Sequence, residues 1–379
     1  MVHLALVTPY LPAPDNTGGR IRMRRLARAL AAVGTVDLFA RVFPVELTAD
    51  IGPALAEYQS VYFRDADVGA WRLVRESRRV REASPLALAW DLRAAHARRP
   101  YDAVIACHCY AAATARSLGR KVPWVLDEHN IESRYARRMR PDDRAEHARL
   151  ERWERAQWRD AALVTAVTDS DAATIRAHRD GPTLVVANGT DAAHITYRAP
   201  SERPAVGLLF IGAMSHPPNV AAAVRLAREV LPRVRARHPD ATLVLCGRAP
   251  DATVRALASA HVTVTGTVSD TRPFLDAAGC YVNALTDGEG SSLKLPEAMA
   301  AGVPVVSTAM GARGFDVAHE RELLLTADDP AALAAGVLAV FADPASADAR
   351  AARARARAEA LDWNLLGDRF ARAVLGVLR

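Results

Sequence analysis

Two glutamates eight positions apart, Glu289 and Glu297, enclose Gly290, Ser291, Ser292 and Lys294 in the stretch DGEGSSLKLPEAMAAGVP at 287–304. The apolar run at 281–285 reads as a buried strand, and Pro296 with Gly302 and Pro304 frames a short helix over 297–301. The small residues therefore lie between a strand's carboxyl end and a helix's amino end, where unpaired N–H groups and the helix dipole favour a phosphate. Lys294 adds a full charge there, worth roughly 1.5–3 kcal/mol as a charge-assisted hydrogen bond. A phosphate repels a carboxylate, so Glu297 is expected to face neutral hydroxyls, and the vicinal diol of a ribose or hexose suits its two oxygens. Taken singly, Glu297 could equally compensate the helix dipole and Lys294 sit as a solvated charge. The combination points to an anion site beside a polyol site.

A second polar cluster, Asp127-Glu-His-Asn-Ile-Glu132, closes an expected strand at 124–127. Strand carboxyl ends are where parallel α/β sheets bind ligands. His129 stands out because an imidazole can donate to a sugar hydroxyl or a phosphate and titrates near neutrality; a histidine that only caps the strand is the plain alternative. After a first strand at 3–8, a Pro/Gly loop carries Gly18 and Gly19 into a helix at 20–33, and the glycines there would permit close approach of a ligand or a facing domain. No G-x-G-x-x-G occurs, so a dinucleotide fingerprint is absent. Cys107-His108-Cys109 invites a metal reading, but no second ligand pair follows at a usual spacing, and no metal is expected.

The E-x7-E spacing followed by AMAAGVPVVST resembles the donor-site signature of retaining GT-B glycosyltransferases of the group 1, or GT4, type. The longer run GEGSSLKLPEAMAAGVPVVSTAMGARGF is similar to the subgroup in which a Gly-x-Gly loop and a lysine precede the donor-site glutamate. D-x-H-N-x-E at 127–132 resembles that family's cleft histidine motif, and Asn188-Gly-Thr-Asp191 its interdomain connection.

The resemblance implies an α/β fold of two facing Rossmann-like, doubly wound domains with a cleft between them. It further implies sugar transfer from a nucleoside-diphosphate sugar to a hydroxyl acceptor with retention of configuration, by same-face attack and with no protein nucleophile. Glu297 would then hold the nucleotide ribose, and Lys294 with the amides of Gly290, Ser291 and Ser292 the diphosphate. Glu289 would meet the transferred sugar's hydroxyls, and His129 the donor sugar or phosphate. Gly18 and Gly19 would border donor and acceptor, while Asn130 and Glu132 would orient His129 or contact the acceptor. Gly212 ends a strand on the donor side, but Ala213 and Asn219 stand roughly where many such enzymes carry an arginine and a lysine. Lys294, helped by Arg248, is expected to supply that charge. No cofactor or Mg²⁺ is expected.

Apolar strand runs at 36–40, 60–64, 103–107, 124–127, 162–167 and 183–187 alternate with helical stretches, as do runs at 206–211, 242–246, 262–265, 280–284, 303–307 and 323–326. Two parallel sheets follow. At 379 residues the chain fits two domains. They are set at 1–196 and 205–362, with a linker at 197–204. A terminal helix at 363–379 carries Leu366, Phe370, Val374, Val377 and Leu378 on one stripe; by the resemblance it returns to the first domain, and a dimer interface competes.

Half the residues are hydrophobic and 24% charged, with no signal peptide and no apolar run near 18 residues, so a cytoplasmic protein is expected. The net charge of +6 is almost wholly arginine, Lys121 and Lys294 being the only lysines. One arginine cluster spans 72–81 beside Trp71 and Trp90, and another spans 134–159 beside Trp153 and Trp158. A solvated, salt-bridged face accounts for them, and attachment to an anionic membrane surface is the sharper reading, suited to a lipid-linked or glycan acceptor. No nucleic-acid motif is present. Two other classes stay open: an epimerase or hydrolase of nucleotide sugars on the same fold, and a nucleotide-binding scaffold without turnover.

Overall fold

The computed structural model describes the chain except for residues 44–50, 66–85, 204–205, 289–290 and 379. It forms two compact units, Met1–Ala187 with Trp363–Arg379, and Asn188–Asp362. Each is built on one parallel sheet.

The first sheet holds β1 (Val2–Thr8), β2 (Gly34–Val42), β3 (Ser60–Asp65), β4 (Ala103–Cys107), β5 (Trp124–Asp127), β6 (Leu163–Ala166) and β7 (Thr183–Val185). Their order is β3-β2-β1-β4-β5-β6-β7, every pairing parallel. Strand order reverses between β1 and β4, where Leu4 stands opposite Ala103 and Val7 opposite Ala106. The loops leaving β1 and β4 therefore diverge from neighbouring strands and open the crevice in which such sheets take ligands.

The second sheet holds β8 (Gly207–Ile211), β9 (Thr242–Cys246), β10 (Val262–Val264), β11 (Cys280–Asn283), β12 (Val305–Thr308) and β13 (Leu324–Thr326). The order is β10-β9-β8-β11-β12-β13, again all parallel, with the reversal between β8 and β11. Both reversals thus fall beside motifs singled out in the sequence. The strands are near-continuous apolar runs because helices cover both faces of each sheet; β4, β5, β6, β11 and β12 are buried along their whole length.

Strand ends match the sequence expectation within about two residues, whereas three helix starts differ. The first helix runs Gly18–Ala31 and includes both glycines, because Thr17 caps it by accepting a hydrogen bond from the Arg20 amide. The helix beyond β11 runs Lys294–Ala300, so Pro296 is its third residue and not its first. Proline is tolerated anywhere in the first turn, whose N–H groups have no partner inside the helix. The stretch read as one helix over 220–235 begins at Pro217 and passes through a wide π turn at Leu226–Val230 before Leu231–Arg235. That turn accommodates Pro232, whose ring would clash with the carbonyl four residues earlier.

The units divide between Ala187 and Asn188, so residues 188–196 join the second unit. Arg355 ties them there by donating to the carbonyls of Ala192 (3.0 Å), Ile195 (2.8 Å) and Ala300 (2.7 Å), and the Thr190 amide donates to Leu361 at 3.1 Å. The terminal helix Trp363–Gly376 belongs to the first unit and buries Leu366, Phe370 and Val374, each contributing roughly 1.5–3 kcal/mol. Gly367 lets it approach Gly18–Ala31, since a Cβ there would lie 2.7 Å from that of Ala29. Among the described residues no single helix is long and apolar enough to cross a membrane.

Candidate functional sites

In the second unit, the loops after β8 and β11 leave the sheet side by side at its reversal. Gly212 ends β8, where a side chain would strike the Asn219 amide at 2.7 Å. Asn219 donates to the Ala213 carbonyl at 3.0 Å, so it shapes this loop and brings no charge. Gly247, with φ +151°, abuts Gly212 so closely that a Cβ would lie 1.8 Å from the Gly212 carbonyl oxygen. Two strand ends are thereby drawn together, and Arg248 emerges beside them, exposed and without an ion-pair partner among the described residues.

The loop after β11 carries the candidate anion-binding residues; Glu289 and Gly290 lie outside the described residues. Ser291 is held through its carbonyl (3.1 Å) and hydroxyl (3.2 Å), both accepting from the Asn188 side-chain amide. The Ser292 hydroxyl accepts from the Lys294 amide at 3.3 Å. Lys294 Nζ donates to both Glu297 oxygens at 3.0 Å, one helical turn apart, with side chains 27% and 19% exposed. Cation and carboxylate therefore form a partly shielded pair on one face of the helix start. That charge reaches Cys246 at the end of β9: burial pushes the thiol's pKa up, and Lys294 is among the groups opposing the shift. The His216 imidazole feels Asp287, which partly offsets the lowering of its pKa by burial, so the β8 and β11 loops lie close together. Gly311 closes the floor: a side chain there would meet Asn283 and Ser307, each at 2.6 Å, and Asn283 donates to its carbonyl at 2.8 Å.

In the first unit, Asp127 is the hub. Fully buried at the end of β5, it accepts from Arg22 Nε (3.1 Å) and Nη2 (2.6 Å), from the Thr165 hydroxyl (2.6 Å) and from His129 Nε2 (2.9 Å). Burial alone would raise its pKa; Arg22 and His129 outweigh that and hold the carboxyl well below the usual range. His129, 6% exposed, therefore carries its proton on Nε2. Burial first, and the charge on His108 next, lower its pKa to about 4.

Neither Asn130 nor Glu132 hydrogen-bonds to His129 itself. Asn130 donates to Glu132 Oε1 at 3.2 Å, and Glu132 instead holds His108 (2.9 Å, to Nδ1) and Tyr110 (2.6 Å). The reason is topological: β4 and β5 are adjacent, so the residue following β4 stands between His129 and the helix Glu132–Met139. Gly19 lies against Tyr10 of the same unit, where a Cβ would stand 2.3 Å from the tyrosine hydroxyl.

Sequence reasoning missed His108, Arg22 and Tyr10. His108 was noticed only as part of a metal motif, and Arg22 is one of several arginines on its helix. The two cysteines of that motif diverge, Cys107 toward Asp127 and His129, Cys109 toward Glu128 and Glu154. Each group brings three potential ligand atoms within 4.8 Å of one another. Every carboxylate oxygen in them already accepts a hydrogen bond, from Arg22, Thr165 and His129 in the first and from the Trp158 indole and three backbone amides in the second. All four cysteines are buried free thiols.

Two parallel, doubly wound α/β units, each with polar residues gathered at the reversal of its strand order, define the GT-B class of fold. Family models match both: residues 17–189 match a glycosyl transferase 4-like domain and residues 205–343 the glycosyl transferases group 1 domain. The chain belongs to the group 1 glycosyltransferase family. Phosphatidyl-myo-inositol mannosyltransferase of Mycobacterium tuberculosis is 29% identical over 179 residues, 44% of this chain and 46% of that protein. Glycogen synthase of the same species is 31% identical over 208 residues, 52% and 49% respectively. The chain thus spans about half the length of the curated relatives it matches. Among solved structures, sucrose-phosphate synthase from Thermosynechococcus elongatus superposes with a TM-score of 0.76 at 21% identity over 100% of this chain and 99% of that one. HepE from Anabaena, solved in complex with UDP, gives 0.72 at 18% identity over 99% and 100%.

Proposed function

We propose that this protein transfers a sugar from a nucleoside-diphosphate sugar to a hydroxyl acceptor, a glycan or lipid-linked glycan, with retention of configuration and without a metal. The observation that carries this reading is the Lys294–Glu297 pair beside Ser291 and Ser292 at the reversal of the second sheet. Lys294 is the charge for the diphosphate and Glu297 the acceptor of the ribose diol, with the amides of Gly290, Ser291 and Ser292, and Arg248, adding donors. A departing nucleoside diphosphate needs such donors in place before the bond breaks. Glu289 meets the transferred sugar, and the sequence run preceding Glu297 supports the subgroup with a Gly-x-Gly loop and lysine. HepE, which shares this fold, has been solved with UDP-glucose, in keeping with a nucleotide-sugar donor.

On the acceptor side, His129 faces the sugar or phosphate, and Gly18 and Gly19 keep space for it. A lipid-linked acceptor would bring the protein to the inner face of the cell membrane. In the second arginine stretch Arg137 and Arg155 pair with Glu151 and Arg149 with Glu146, which supports a solvated, salt-bridged face there.

A scaffold reading has one observation in its favour. Ala213 and Asn219 bring no charge to the β8 loop, and Lys294 is already neutralised by Glu297. The test is incubation with a panel of nucleotide sugars, with and without hydroxyl acceptors, following nucleoside diphosphate and the sugar. Acceptor-dependent diphosphate release supports transfer. Altered sugar without acceptor assigns the epimerase or hydrolase class, and intact donors throughout assign the scaffold.

A further inference from the structure

His108 has φ 62° and ψ 149°, in a region populated essentially by glycine. It follows β4 directly, on the strand-order reversal, and is 6% exposed. A side chain kept in such a backbone state, when glycine would be relaxed there, must be over-determined by its surroundings. The surroundings are specific. Glu132, held as a carboxylate below its ordinary range by His108, Tyr110 and Asn130 against the opposing effect of burial, accepts from His108 Nδ1 at 2.9 Å. His108 Nε2 lies 3.3 Å from the Tyr10 hydroxyl. The His108 ring then sits 3.9 Å, centroid to centroid, from that of His129, tilted by 43°.

His129 is the other half of the pair. Its Nε2–H is committed to Asp127, so Nδ1 carries a lone pair, and among the described residues no donor reaches that buried atom. Gly19 lies in front of it: a Cβ at Gly19 would stand 3.6 Å from Nδ1 and collide with Tyr10. A buried lone pair without a donor costs roughly 1–3 kcal/mol unless a ligand completes it.

We propose that His108 is a positioning residue that fixes His129 as a neutral imidazole with its Nδ1 lone pair presented to a hydroxyl group of the substrate. The ligand class is a sugar or acceptor hydroxyl, which donates a hydrogen bond to Nδ1; this rests on the transferase reading above. His108 acts in two ways. Its ring packs against His129 and fixes its plane, and its own charge, when protonated and anchored on Glu132, opposes a second positive charge 3.9 Å away. Glu132 supplies the anchor and Tyr10 bounds the other ring edge. The remaining charged or titratable groups that face His129 are Asp127 from β5, Arg22 through Asp127, and the Cys107 thiol from β4.

The test uses the full chain labelled with ¹⁵N at histidine, comparing wild type, His108→Gly and Glu132→Gln. Glycine is chosen because φ 62° and ψ 149° suit it, so the backbone after β4 keeps its path. In wild type, His129 is expected as the Nε2–H tautomer, neutral down to about pH 4. In His108→Gly its titration midpoint should rise by about one unit or more toward the free-imidazole value, with a smaller rise in Glu132→Gln. The acid limb of sugar transfer should move up in pH by the same interval, a change that a merely structural histidine would not produce. Nucleotide-dependent stabilisation through Glu297, which these variants leave alone, reports separately on the transferase reading. If that stabilisation is missing, the reading fails while the ¹⁵N data still decide the histidine pair. An unmoved His129 midpoint in folded His108→Gly, or an Nδ1–H tautomer in wild type, overturns the proposal.

Discussion

Arg22→Met removes the cation from a buried ion pair whose side chains are 1% and 0% exposed. Met has nearly the same reach, so the substitution leaves little cavity; what it leaves is charge. Asp127 loses two guanidinium hydrogen bonds, and the carbonyls of Val186 (2.8 Å) and Ala187 (3.2 Å) lose their Arg22 donor. Breaking one side of a buried pair costs about 3–5 kcal/mol, a large share of a domain's total stability. The sign with pH follows from Asp127. In the wild type its folded pKa is depressed, so its contribution is present above the unfolded value near 3.9 and is lost only far into acid. In Arg22→Met burial dominates and raises that pKa, so the deficit is greatest at neutral pH and shrinks toward pH 4. Urea unfolding followed by tryptophan fluorescence is the assay, because all six tryptophans lie in the first unit and report it alone. Asp127→Asn in the Arg22→Met background should recover part of the loss, as the orphaned charge is removed. A loss under about 1 kcal/mol, or one independent of pH, would refute the reasoning.

Four further outcomes follow from the same contacts. Lys294→Ala should weaken nucleoside-diphosphate binding by roughly 10- to 100-fold in calorimetric titration, while the first unit's fluorescence midpoint stays where it was. Gly247→Ala puts a Cβ 1.8 Å from the Gly212 carbonyl at φ +151°, so the second unit should lose about 2 kcal/mol or more; circular dichroism should show its transition falling while tryptophan fluorescence does not. Burial, joined by the charge of Glu154 on Glu128 and of Glu132 on Glu154, holds Glu128 and Glu154 above the carboxylate range, Glu154 at about 8. Because these folded pKa values are raised, their contribution is complete below about pH 4.5 and declines up to about pH 8, and Glu128→Gln should flatten that decline in urea melts. The protein should stay in the supernatant with anionic liposomes at physiological salt; salt-sensitive pelleting would favour the membrane-binding reading of its arginines.

Both sheets were legible because buried parallel strands are plain apolar runs, as at Ala103–Cys107 and Cys280–Asn283. Lys294 and Glu297 stood out as a candidate site because their types and spacing are unusual together. Their mutual ion pair was not, because it depends on where the helix starts, and Pro296 is compatible with more than one starting point. Arg22 was invisible among Arg20, Arg24, Arg25 and Arg28, since only the register of the Gly18–Ala31 helix against β5 decides which of them is buried. His108 could not be told from a metal-motif residue until β4 and β5 were known to be neighbours. The division at Asn188 rested on Arg355, some 160 positions away, which no local pattern reveals.

The central claim is that the second unit holds a nucleoside diphosphate through Lys294 and Glu297. Its most direct test is thermal unfolding, read by circular dichroism, with UDP, GDP, ADP and dTDP in turn, on the parent and on Glu297→Ala. A ligand at about 100 times its dissociation constant stabilises by ~2.7 kcal/mol, enough to move the midpoint clearly. One nucleotide stabilising the parent and not the variant is the predicted result. No shift with any of them at millimolar concentration would contradict the account.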